Sequence, residues 1–262
     1  MKADDESIEP LVRALAHAWD SGTQLRSADA SWSLRDPREA ERAMLSVAQH
    51  LGWERLGWKI AATNAAMQQR LGTTHPVFGV TFARHLHASP ACLPAAGLMD
   101  PVVECEFFFR MGRDLPARDR PYGFDEVADA VADVHIGIEI GECRFAADSL
   151  PGPLFLMADG FGSGRYLIGP RLGDWRSILQ QPVAVTLQRN GVERGRGSSA
   201  DVMGHPLAPV VWLSTQLQGL GQHLRAGELI SSGSCNIMAR GRAGDRFVAR
   251  FDGIGEVSLE LV

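Results

Sequence analysis

No run of apolar residues approaches the roughly 18 that a membrane-spanning helix needs, which excludes a helical membrane protein. The opening residues, MKADDESIEP, are acidic and lack an apolar core, unlike a secretory leader. Basic charge is not in excess: 26 Lys and Arg stand against 31 Asp and Glu, and a net charge of -5 is the reverse of a nucleic-acid-binding footprint. Cysteine is scarce. Cys92, Cys105, Cys143 and Cys235 are scattered and form no CxxC pair, so reduced thiols in a cytoplasmic protein are the simplest reading. Repeats, low-complexity tracts and long charge runs are absent. There is no G-x-S-x-G elbow, which disfavours a serine hydrolase. The glycine-rich GFGSGR is not G-x-G-x-x-G and leads into a strand-like YLIGP, which disfavours a dinucleotide site.

What is present is ordinary globular composition in 262 residues, enough for one large domain or two small ones. The first third reads as helical. Leu11, Leu15, Ala18 and Trp19 lie near helical spacing. In DPREAERAMLSVAQHLG, Asp36 is an N-cap, Pro37 fits the first turn and Glu39 completes a capping box. Ala40, Met44, Val47 and Leu51 form its apolar face, and Gly52 ends it. A short strand is expected at Trp58 to Ala61, then a helix capped by Asn64 and stopped by Gly72. From about Thr74, prolines and glycines separate β-rich runs, and RFVARF-DGIG-EVSLELV is an explicit hairpin. One helix, HPLAPVVWLSTQLQGLG, interrupts them, with His205 structuring its start. His85 and His87 in HLH read as loop or surface histidines, since no further nitrogen or sulfur ligand stands near. The expectation is an α+β chain: a helical segment, 1–75, ahead of a β-rich catalytic domain, 76–262.

Within VVECEFFFRM, Glu104 and Glu106 project to one face of a strand while Val103, Cys105 and Phe107 face the other way. In VHIGIEI, Glu139 likewise leaves an isoleucine-rich strand on the face opposite Ile136, Ile138 and Ile140. Gathered together, the three carboxylates repel unless protons or a cation intervene, and hard oxygen ligands suit Mg²⁺ or Mn²⁺. Alternatively, each faces water on the solvated side of an antiparallel strand. Spacing leaves both readings open.

The blocks GWKIAATNAAMQQRLG, PVFGVTF, VVECEFFF, GIEIGECR, MADGFGSGRYLIG, GHPLAPVVWLSTQL and AGELISSGS…AGDRF occur in that order across nearly the whole chain. In them the sequence resembles the hydratase/decarboxylase branch of the fumarylacetoacetate hydrolase superfamily. The resemblance implies a mixed β-roll domain after the helical segment and Mg²⁺ or Mn²⁺ held by Glu104, Glu106 and Glu139. It implies Lys59 and Asp159 as catalytic groups, and Phe78, Gly79, Phe161, Ser163, Ser232 and Gly233 against the substrate. It further implies a lyase that adds water to a 2-hydroxy-2,4-dienoate or 2-oxo-3-enoate acid, with a 4-oxalocrotonate-type decarboxylase as the alternative. Arg144 or Arg165 would then hold the distal carboxylate. A C–C bond hydrolase and a non-catalytic partner subunit are the readings from other classes. The implied assembly is a homo-oligomer, with a complex with another enzyme of the same pathway left open. The chain departs from the family pattern where D-N-A-S becomes Asp159-Gly160-Phe161-Gly162, with a serine only at Ser163, and where L-T-S becomes Ala62-Thr63-Asn64. A third departure is Ser232-Gly233-Ser234 in place of T-G-A or S-G-G. Phe161 is expected to shorten or reshape the pocket.

Overall fold

A computed structural model describes residues 2–27, 31–235 and 237–262. Two N-terminal helices, α1 (Lys2–Ser21) and α2 (Pro37–Leu51), lie against each other through Leu11, Leu15, Ala43 and Val47. Asp36 caps α2 by accepting from the Glu39 amide at 2.9 Å, and Gly52 ends it with φ 62°. The expected capping box is displaced by one residue: Glu39 reaches the Arg35 amide at 2.7 Å and its guanidinium rather than the amide of Asp36. The next elements are β1 (Arg55–Ala61), α3 (Ala65–Leu71), β2 (Val77–Phe82), β3 (Leu86–Ala88), β4 (Ala91–Leu93) and β5 (Val102–Met111). After these come α4 (Phe124–Ala128), β6 (Val131–Gly141), α5 (Pro153–Ala158), β7 (Arg165–Arg171), α6 (Trp175–Ile178), β8 (Ala184–Arg189) and β9 (Val192–Ser198). The chain closes with α7 (Ala208–Gly219), β10 (Leu229–Ser231), β11 (Met238–Arg240), β12 (Arg246–Phe251) and β13 (Gly255–Leu261). Asn64 caps α3 through the Met67 amide, as its sequence foretells. His205 accepts from the Leu207 amide just ahead of α7.

The architecture is α+β with two mixed sheets. The larger runs β2-β1-β10-β5-β6-β7-β3, and β11 also pairs with β5. The smaller runs β4-β13-β12-β8-β9. β1 with β10, β3 with β7, and β4 with β13 are parallel pairs, and the other pairs are antiparallel. β1 precedes residue 76, yet it pairs inside the large sheet with β2 on one side and β10 on the other.

Alternation on β5 and β6 explains the core. Val103, Cys105, Phe107, Ile136, Ile138 and Ile140 are fully buried. Phe107 meets Phe251 of the smaller sheet edge to face, with ring centroids 5.3 Å apart. Each such side chain contributes about 1.5–3 kcal/mol when removed from water, so this layer fixes the β5–β6 register. That register puts the even-numbered residues of β5 on the opposite face. His85 departs from expectation. It is not at the surface but packs between Trp19 and Trp53, where burial first and Arg165 second push its pKa down to about 3. Among the described residues, no helix is long and apolar enough to cross a membrane.

Candidate active site

Strands β1, β10, β5 and β6 lie side by side, and one face of this row carries four ionisable groups. Glu104 stands opposite Glu139, and Glu106 stands opposite Gly137. Lys59 stands opposite Gly79 on β2 and Ser231 on β10. β10 and β11 pair with the two ends of β5 and leave Glu106 beside the chain between them. That chain supplies donors: the Ser231 hydroxyl and the Gly233 amide, the latter at 3.0 Å, both reach Glu106 Oε2. Gly233 has φ 106°, a conformation an L side chain rarely adopts. Lys59 Nζ lies 3.6 Å from Glu139 Oε1, which also accepts from the Tyr166 hydroxyl at 3.3 Å.

These groups are largely withdrawn from water: Lys59, Glu106 and Glu139 are 4%, 1% and 2% exposed. Burial first, and the neighbouring Glu139 second, push Glu104 up to about 8, against opposing effects of Lys59, Arg70 and Ser234. Burial again leads in raising Glu106 well above the carboxylate range, with Glu139 and Glu104 adding to it. Three carboxylates thus share one wall with a single ammonium among them.

Asp159 lies elsewhere. It follows α5, whose start is set by Pro153, and its carboxylate accepts from the backbone amide and the Nε of Arg144. Arg144 is fully buried, stacks over Trp19, and also donates to the carbonyls of Asp159 and Ser163. Arg144 and Asp159 therefore clamp both ends of the turn 159–163. At its centre Phe161 has φ 50° and ψ 42°, a left-handed conformation costing about 1–2 kcal/mol in a non-glycine residue. Its carbonyl receives Lys59 Nζ at 2.6 Å. The clamp holds the strained turn, and the turn holds the lysine.

A cavity of about 200 Å³ opens on this wall, lined by Lys59, Glu104, Glu139, Glu142, Phe161 and Arg70 among others. Of the residues expected against substrate, Phe161 lines it. The others support it from behind. Phe78 packs against Trp58 and Trp212. Gly79 admits the turn: a Cβ there would come within 2.3 Å of the Gly160 carbonyl. Ser163 bonds the Val80 carbonyl and the Tyr166 hydroxyl. Ser232 is fully buried, and Gly233 serves Glu106 through its amide. Neither Arg144 nor Arg165 is free to hold a distal carboxylate, because Arg144 is buried on Asp159 and Arg165 is paired with Glu142. Sequence reasoning missed Arg70 and Tyr166. Arg70 sits in the last turn of α3 on the cavity rim, and its guanidinium makes no ion pair among the described residues. A cation in a helix beside the lysine block was the available signal.

As they stand, the acids are turned to internal partners, and among the described residues no three His, Cys, Asp or Glu groups are gathered as a finished ligand set. The chemistry of the donors nonetheless fits a hard divalent cation. Glu104 and Glu139 line the cavity, Glu106 shares their sheet face next to it, and protons or a cation must offset the mutual repulsion of the three.

The fumarylacetoacetate hydrolase C-terminal family matches residues 58–262. A 2-keto-4-pentenoate hydratase of Paraburkholderia xenovorans (strain LB400) is 35% identical over 211 residues, 80% of this chain and 77% of that protein. A 2-keto-4-pentenoate hydratase of Burkholderia vietnamiensis (strain G4 / LMG 22486) is 30% identical over 264 residues, 97% of each chain. Among solved structures, 4-oxalocrotonate decarboxylase from Pseudomonas putida G7, complexed with calcium and acetate, is similar with a TM-score of 0.88 at 21% identity over 98% of both chains. With residues 58–262 carrying every group of the acid wall, the chain belongs to the fumarylacetoacetate hydrolase family.

Proposed function

We propose that this protein is a divalent-metal-dependent hydratase that converts a 2-hydroxy-2,4-dienoate, through its 2-oxo-3-enoate tautomer, to a 4-hydroxy-2-oxo acid. The observation that carries this reading is the shared sheet face of Glu104, Glu106 and Glu139, two of them at the cavity beside buried Lys59, in a chain 30–35% identical to hydratases. Glu104, Glu106 and Glu139 would hold Mg²⁺ or Mn²⁺. When bound, the ion supplies stabilisation of negative charge on the enolate form of a 2-oxo acid.

The protein's own groups do the rest. Lys59, held by the Phe161 carbonyl and Glu139, faces the cavity and carries the protons. Tautomerisation takes a proton from the enol hydroxyl and places one at C5. Hydration then joins a water oxygen to C4 and a proton to C3, so one water is consumed and no other product leaves. Tyr166 orients Glu139 by its hydrogen bond. Asp159 acts as a positioning residue, because Arg144 engages its carboxylate and its effect reaches Lys59 through the turn.

Two observations favour a hydratase over a decarboxylase of 2-oxo dicarboxylates. The relatives at 30–35% identity described above carry the hydratase name, and the two arginines that the sequence offered for a distal carboxylate are occupied internally. Incubation with 2-hydroxypenta-2,4-dienoate and Mn²⁺ tests the reading. It expects metal-dependent loss of the dienoate and appearance of a 4-hydroxy-2-oxo acid; release of CO₂ from a 2-oxo dicarboxylate with no hydration would overturn it.

A further inference from the structure

A second chamber of about 530 Å³, more than twice the volume of the acid cavity, adjoins it. The two share Arg70, Leu71, Cys143, Leu150, Phe161 and Gly162 as walls. Beyond that neck the lining is Pro151, Pro153 and Leu156 with the end of α3, Gln69 to Gly72. Among the described residues Arg70 is its one charged lining side chain, and it is shared with the acid cavity. A carboxylate carried past Arg70 into the outer chamber would meet proline and leucine, with the neutral Gln69 amide as the one polar side chain among the described lining residues to replace lost water. A hydrocarbon chain would meet apolar surface on several sides, in a volume typical of ligand pockets.

From these shared walls and the apolar lining we infer that the outer chamber is a subsite for an uncharged, apolar tail of the substrate, on the side of Phe161 away from Lys59. The inference rests on the reading above for what lies in the inner chamber, and it deepens it. The substrate class is a 2-hydroxydienoate with an extended alkyl or aryl substituent at the end remote from its carboxylate. Leu156 on α5 and Leu150 at the neck are the residues that set tail preference. Phe161 is the shared partition, which its left-handed backbone and Lys59 contact hold in place.

The test is calorimetric and does not depend on turnover. The Mn²⁺-loaded protein is titrated with saturated 2-oxo acids from 2-oxopentanoate to 2-oxodecanoate. Affinity should rise with chain length, by about tenfold or more across the series, because each methylene moved from water onto apolar walls adds to binding. Leu156→Trp puts a bulky ring into the outer chamber and should flatten the series while retaining binding of 2-oxopentanoate. Leu150 is 55% exposed, so Leu150→Asp leaves the core intact, and it should flatten the series by placing a charge at the neck. Affinity independent of chain length in the parent, or the parent's dependence persisting in both variants, would overturn the subsite. If no dienoate of any length is hydrated while the chain-length dependence and its loss in the variants are seen, the lyase reading fails and the apolar subsite stands.

Discussion

Two buried ionic clusters lie on either side of the turn 159–163, and they are built in opposite ways. In one, Arg144 and Asp159 match charge for charge, and their remaining hydrogen-bonding capacity is taken up by neighbouring backbone. In the other, Glu104, Glu106 and Glu139 share Lys59 as their one buried ammonium, with two of the acids pushed toward protonation by burial and repulsion. In a closed pair the charges are satisfied internally. An open cluster at a cavity leaves charge that a ligand can offset. Asp159 and Glu139 look alike in the sequence, and the structure places one in each cluster.

The largest effect should come from the open cluster. Lys59→Met keeps the apolar stem and removes the proposed proton carrier. Turnover should fall about 10²–10⁴-fold, while metal affinity measured by calorimetry stays within a few-fold of the parent. Near-parental turnover would show that the ammonium is not part of the reaction.

Breaking the closed cluster should instead be felt as stability. Arg144→Met leaves the Asp159 charge buried and unpaired, a change that costs about 3–5 kcal/mol in chemical denaturation. Arg144→Met combined with Asp159→Leu should recover much of that loss, since two apolar groups replace the pair together. If Arg144→Met alone is as stable as the parent, the clamp on the turn is not what holds it.

The smallest effect sharpens the comparison with a half-open pair at the N-terminus. Glu39 bonds Arg35 and Ser7, and the Arg35 hydrogen bonds hold its carboxyl down to about 2. A lowered pKa adds stability above the ordinary value of 4.5 that is lost as pH falls through about 2. Glu39→Gln should cost about 1–2 kcal/mol at neutral pH and should lessen the fall in stability across that acid window. An unchanged acid profile would mean the contact is not maintained in solution.

What could be read ahead of the structure was what depends on neighbours in the chain. The Asp36 and Asn64 caps, the ends at Gly52 and Gly72, the terminal hairpin and the shared face of Glu104 and Glu106 all follow from local periodicity. Glu139 could be placed on a face but not beside Glu104, because strand pairing is a long-range property. Glu39 missed its expected partner by one residue, since Arg35 offered both an amide and a guanidinium. The family resemblance supplied the acid set and Lys59. It did not reveal that Asp159 is taken by Arg144, which no spacing encodes. Phe78, Gly79 and Ser163 stand behind the wall for a similar reason: motif blocks mark the neighbourhood of a site without separating what touches a ligand from what shapes the backbone. Arg70 went unremarked because α3 reveals its caps in sequence but not the direction of its last turn.

The central claim is that the uncompensated carboxylates form a divalent-cation site. Calorimetric titration of metal-free protein with Mn²⁺ at neutral pH, for the parent and for Glu104→Gln, Glu106→Gln and Glu139→Gln, tests it most directly. The parent should bind one ion per chain, and each folded variant should show severe loss of affinity. Binding by all three variants as tight as the parent's, or no binding by the parent, would contradict it.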